Sequence, residues 1–129
     1  MDSLDLSRRA VAAGWRWQAG ALVRTDTSKM RIDGADVDGK PVRYETRGYG
    51  DKCACYVGWR TEEVLPDFHD PATRGVMLQQ VRERWDAPTI CTDCDGLRWS
   101  VVRVDGTVLA YGDSETAALV CALEAAPKR

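Results

Sequence analysis

The residues of this chain with chemistry in reach are five cysteines, a single histidine and a few close-set carboxylates. Cys53-Ala-Cys55 and Cys91-Thr-Asp-Cys94 form a C-x-C and a C-x-x-C pair, the second followed by Asp95-Gly96-Leu97. Four thiolates complete a closed tetrahedral zinc site, and a turn after C-x-x-C lets both sulfurs face one ion. Two features oppose that reading. Thirty-five residues separate the pairs, more than the roughly 12–20 of common zinc motifs. On a regular strand, C-x-C aims both sulfurs to one side about 7 Å apart, too far to share an ion without a bend. Free cysteine is also a common core residue. The expectation is therefore ordinary thiols and no cofactor, with structural zinc on Cys53, Cys55, Cys91 and Cys94 as the alternative. Redox catalysis by Cys91 and Cys94 needs a helix N-terminus to stabilise a thiolate, but the residues that follow read as strand. Cys121 falls inside the last helical stretch, as a core or half-buried thiol.

His69, in Pro66-Asp67-Phe68-His69-Asp70, is a general base by residue type. It directly precedes a helix cap, where a surface loop residue is the usual occupant, and no Ser or Cys is spaced to be its nucleophile. Glu62-Glu63 and the Asp67/Asp70 pair read as solvated loop charges. Asp33, Asp36 and Asp38 echo a calcium loop, but the Gly and the closing Glu are at the wrong offsets. A different chemistry, that of contact surfaces, is suggested by Arg47-Gly48-Tyr49-Gly50: an aromatic and a guanidinium on a Gly-flanked loop are typical binding residues. Arg47 and Tyr49 are the candidate binding residues.

A chain of 129 residues has the size of one domain and buries enough apolar surface to fold without staples. Its 44% hydrophobic and 29% charged residues are those of a globular protein. Five Trp stand against one Phe, and Trp anchors cores and interfaces alike. The net charge of −2, with the basic residues scattered, argues against general nucleic-acid binding, which needs phosphate neutralisation. The acidic start Met1-Asp-Ser-Leu-Asp-Leu is no signal peptide, and no apolar run approaches the roughly 20 residues of a membrane span. A cytoplasmic protein with no membrane association is expected, and there thiols stay reduced.

The elements that must hold these residues follow from periodicity and caps. A first helix over Asp5–Ala13 carries Leu6, Ala10 and Ala13 on one stripe and stops in a Schellman motif with Gly14 and Trp15. Trp15-Arg16-Trp17 alternates like a strand. Ala19-Gly20 turns into a short strand, Ala21–Arg24. Val37-Asp38-Gly39-Lys40 closes a hairpin, with Pro41 implying an edge strand, and Arg47–Lys52 is a loop before a strand over Cys53–Trp59. Asp70 caps and Pro71 opens a middle helix whose inward face is Val76, Met77, Leu78, Val81 and Trp85. Asp105-Gly106 is a two-residue turn pairing Val104 with Thr107 and Val102 with Leu109, in a central hairpin Trp99–Tyr111. Ser114 caps a last helix to about Ala126, with Leu119, Val120 and Leu123 inward. The expectation is a single α+β domain: a small antiparallel sheet packed against two or three helices, the middle and last covering the hairpin.

Three stretches together resemble a family-like set of small bacteriophage and prophage accessory proteins. They are Arg8-Arg-Ala-Val-Ala-Ala-Gly-Trp-Arg-Trp with Gly20, Asp67 and Asp70-Pro-Ala-Thr-Arg-Gly with Val76–Trp85, and Asp113-Ser-Glu-Thr-Ala-Ala-Leu-Val-Cys-Ala-Leu-Glu-Ala-Ala. The D-P-A-T-x-G helix start and the A-L-V-x-A-L-E-A-A end carry the resemblance, over about half the chain. It implies fold and origin rather than chemistry. With no catalytic constellation in the sequence, the expected function is a non-enzymatic accessory protein. It binds a host or phage macromolecule, in the first place a protein component of a bacterial host, in the host cytoplasm, and inhibits a bacterial defence system. The alternative is a small zinc-stabilised or small-ligand-binding domain.

Overall fold

The computed structural model describes residues 3–25, 28–46, 52–56 and 63–127, with 45–46 and 52–56 described as backbone alone. In chain order the elements are α1 Ser3–Ala12, β1 Leu22–Arg24, β2 Lys29–Arg31, β3 Gly34–Ala35, β4 Pro41–Thr46, β5 Lys52–Tyr56, β6 Leu65–Pro66, α2 Pro71–Arg84, β7 Cys91–Cys94, β8 Trp99–Val102, β9 Val108–Gly112 and α3 Glu115–Ala125. The class is α+β, and the described strands form three small antiparallel sheets, ordered β2-β1-β6, β3-β4-β5 and β7-β8-β9. Two compact units divide the chain: Met1–Trp15 with Arg74–Arg129, and Arg16–Thr73.

In the first unit, α3 lies over one face of β7-β8-β9 and also packs on α1. Ser114 caps it, its hydroxyl accepting from the Ala117 N–H at 3.1 Å. Ala117–Val120, Ala122 and Leu123 are all buried. Burying Leu119, Val120 and Leu123 contributes roughly 1.5–3 kcal/mol per side chain before entropy is counted. The junction between strand and helix is backbone on backbone. A Cβ on Gly112, the last residue of β9, would fall inside contact distance of the Ala118 nitrogen and the Ala117 carbonyl carbon. Only glycine permits that approach.

α1 ends as its sequence predicts. The Trp15 N–H donates to the Ala10 carbonyl at 2.9 Å and the Gly14 N–H to that of Val11 at 3.1 Å, a Schellman stop. Arg84 of α2 adds a cationic cap, donating to the Ala13 and Gly14 carbonyls at 3.0 and 2.8 Å. Arg9 forks onto Glu124 of α3, and its guanidinium is held well above its ordinary pKa by that carboxylate. The Trp85 indole N–H donates to the Ala122 carbonyl at 2.9 Å.

The second unit holds the other two sheets. Ile32 and Val42 fill its interior with Ala21, Val23, Leu65 and Phe68. Its polar frame surrounds the N-cap of α2. Asp70 accepts from the Thr73 N–H at 3.0 Å, as a cap should. The carboxylate is also gripped by Arg31 at 2.8 and 3.0 Å and by the Thr73 hydroxyl at 2.7 Å. These donors, Arg31 first, hold the Asp70 carboxyl well below the usual range. Thr73 Oγ1 in turn accepts from the Leu22 N–H of β1 at 2.8 Å. The buried Asp67 pairs with Lys29 at 2.8 Å.

Several expectations are corrected. Trp15-Arg16-Trp17 is not a strand; Trp15 is drawn into the core as the residue after the Schellman glycine. β4 is the central strand of its sheet, and Pro41 is tolerated because it is the first residue, paired with Ala35. On α2 the buried positions are Thr73, Met77, Gln80 and Val81, while Val76, Leu78 and Trp85 are only half-buried. The hairpin body keeps its expected register, Val101 opposite Ala110 and Ser100 opposite Tyr111, but Val102 meets Val108. A two-residue type I′ turn needs positive φ at both central residues. Asp86 is the one non-glycine with positive φ among the described residues, so Asp105 lacks it. Instead the Gly106 N–H closes a turn onto the Arg103 carbonyl at 3.0 Å, with Gly106 itself left-handed at φ 89°. One extra residue enters the loop side and shifts the ladder.

Asp86 occupies the left-handed position after α2, with its N–H on Glu83 and that of Ala87 on Arg82, a place that favours glycine. Two substitutions should therefore move thermal stability in opposite directions. Asp86→Gly should stabilise by about 0.5 kcal/mol through relief of the left-handed backbone. Gly112→Ala should destabilise by about 2 kcal/mol or more, as overpacking against backbone. Thermal melts of both variants check the pair.

Candidate functional site

With α3 on one face of β7-β8-β9, alternation along the strands sends the next residues to the other face. Val101 is buried on the helix side, so Ser100 and Val102 point away from it, as do their partners Asp93, Cys91 and Tyr111. On that side Tyr111 is 47% exposed and Val108 37% exposed. This open face is the candidate interaction surface.

Its central feature is a stacked pair. The Arg98 guanidinium lies over the Tyr111 ring, 3.8 Å from the centroid. A cation on a ring face at an exposed site is worth about 0.5–1 kcal/mol, and both groups keep hydrogen-bonding capacity for a partner. Arg98 is placed by a pinned turn. The Asp95 carboxylate accepts from the Leu97 and Arg98 N–H groups at 3.0 and 2.9 Å, and the Asp95 N–H returns to the Arg98 carbonyl at 3.2 Å. Those donors, Arg98 first, lower the Asp95 pKa, so the turn is held by an ionised carboxylate at neutral pH. At its tip Leu97 stands 92% exposed. Two other turns are built alike. Asp36 accepts from the Asp38 and Lys40 N–H groups around the fully exposed Val37, and Asp105 accepts from the Thr107 N–H beside the exposed Val104.

Of the residues singled out from sequence, Arg47 and Tyr49 lie outside the described residues, as do 57–62. Cys53 and Cys55 belong to β5, of which the backbone alone is described. Cys91 and Cys94 open and close β7 and are exposed free thiols. Three residues apart on a strand, they point to opposite faces, Cys91 with the open face and Cys94 away from it. Among the described residues no three His, Cys, Asp or Glu side chains gather as a metal-binding group. His69 is exposed, and its backbone N–H donates to Asp67 at 3.0 Å. Cys121 is half-buried with Arg9 Nη2 3.6 Å from its sulfur. Sequence reasoning missed Arg98 and Tyr111 as a pair, since neighbours across strands appear only once register is known.

No family model, curated protein or solved structure matches the chain. Among the described residues no helix is long and apolar enough to cross a membrane.

Because both thiols of β7 are exposed and face opposite ways, replacing Cys91 and Cys94 together by Ser should leave the melting temperature nearly unchanged, within about 0.5 kcal/mol. A strong chelator should likewise have no effect. Unfolding by chelator, mirrored by the double variant, would instead mark a structural metal.

Proposed function

We propose that this chain is a non-enzymatic binding protein that docks a protein partner, a component of a bacterial host or of its phage. The outcome we assign to it is inhibition of a bacterial defence system in the host cytoplasm. One observation supports the binding part above others: the open sheet face on which Arg98 is stacked against a half-exposed Tyr111. Aromatic and guanidinium groups dominate interface energetics because they carry large contact area and directional donors. Here they sit on a strand and a pinned turn rather than on a floppy segment, so little entropy is lost on docking. The net charge of −2 favours a protein over a polyanion. The phage setting rests on the D-P-A-T-x-G and A-L-V-x-A-L-E-A-A stretches. Arg47 and Tyr49 belong to this proposal as a second contact, on the strength of their sequence context.

The test is retention of proteins from a bacterial lysate by the immobilised chain, read by mass spectrometry, with the retained protein then titrated against variants. Arg98→Ala should lower stability by no more than about 1 kcal/mol, the worth of the stacked pair, leave the fold intact, and weaken partner binding by at least about 1 kcal/mol, roughly fivefold. Retention of a nucleotide or metabolite with no protein, or full affinity in Arg98→Ala and Tyr49→Ala alike, would defeat the proposal.

A further inference from the structure

The edges of the three sheets are not alike. An exposed edge strand offers unpaired N–H and C=O groups to any other strand, and proteins blunt such edges with charge, proline or shortness. In the second unit, β2 carries Lys29 and Arg31, β6 is two residues long and ends in Pro66, β3 is two residues long, and β5 begins with Lys52. In the first unit, the β7 edge carries Asp93. The remaining edge among the described residues, β9, reads Val108-Leu-Ala-Tyr-Gly112 and has neither charge nor proline. It is also the longest strand of its sheet.

The strand is complementary to itself. A two-fold axis normal to a sheet preserves its faces, so two identical antiparallel edges set residues of one face opposite each other. The ladder is regular from Ala110 to Gly112, the irregularity lying at Leu109. Centred on Tyr111, the pairing brings the two rings together on the open face, each already covered on one side by Arg98. On the helix side it sets Ala110 opposite Gly112, the two smallest residues of the strand, where α3 passes closest. No residue of β9 itself carries a charge to meet its own copy, since each Arg98 reaches its ring from the turn before β8. The same pairing at β2 would crowd Lys29 and Arg31 against like charges, and at β7 would crowd Asp93.

From this we infer that β9 is a homotypic docking edge: a second copy of the chain adds antiparallel at Ala110–Gly112 and joins two β7-β8-β9 sheets into one of six strands. The inference goes beyond the proposed partner binding and does not depend on it. The pairing uses the strand edge and the Tyr111 ring, whereas Arg98→Ala probes the face.

Sedimentation equilibrium of the full chain, from low to high micromolar concentration, should show the mass rising from 14.3 kDa toward twice that value. Tyr111→Lys, which places two ammonium groups on the axis, should remain monomeric throughout. Tyr111→Phe and the β7 variant Asp93→Lys should dimerise as the unsubstituted chain does. Amide hydrogen exchange of the unsubstituted chain supplies a readout that survives misfolding of any variant: protection at Ala110–Gly112 should grow with concentration, and protection at Cys91–Cys94 should not. A chain that is monomeric at every concentration overturns the inference. So does a dimer that persists in folded Tyr111→Lys, or one whose new protection falls on β7.

Discussion

The contact on which the first unit depends is the one between the Gly112 backbone and the first turn of α3. It turns the chain directly from β9 into the helix and presses α3 onto one face of the sheet. The apolar residues of α3 then have a floor to bury against, and α1 and the turn after α2 are fastened to that helix by Arg9 and by the Trp85 indole. On the opposite face of β7-β8-β9, Cys91, Asp93, Val108 and Tyr111 are exposed and Ser100 and Val102 half-buried. The surface to which function is assigned is thus the reverse side of that packing.

The second unit solves a different problem. Four of its six described strands are two or three residues long, and α2 starts at its border, where the first N–H groups of a helix lack intrahelical partners. Asp70 satisfies them, Arg31 balances the charge, and Thr73 passes a hydrogen bond to β1. These few polar groups tie three segments distant in sequence. Their arrangement gives the carboxylates beside His69 partners: Asp67 has Lys29 and the His69 N–H, and Asp70 has Arg31.

What was legible in the sequence is what local chemistry decides. Ser114, Asp70-Pro71 and Gly14-Trp15 mark helix ends by groups that bond within a few residues, and all three are where their types imply. The body of the Trp99–Tyr111 hairpin was legible from its alternation. Less legible was anything needing tertiary partners. The buried stripe of α2 includes Thr73 and Gln80, polar residues that a hydrophobic pattern assigns outward, and this displaced Trp85 from the expected core. Asp-Gly fits more than one turn, and the backbone of Asp105 selected the longer one. That Cys91–Cys94 form a strand of their own was not legible either. On β7 the odd spacing separates the sulfurs. Arg98 and Tyr111 are thirteen residues apart in sequence and meet only across the ladder.

The central claim is that one face of β7-β8-β9 is covered and the other open. Cysteines report on it from three positions: Cys91 on the open face, Cys94 at the strand end, and Cys121 on α3 beside Arg9. Alkylation of the native protein, followed site by site by mass spectrometry, tests it most directly. Cys91 and Cys94 should react at close to the rate of a small free thiol while Cys121 lags. A Cys91 that stays protected until the protein is denatured would contradict the open face.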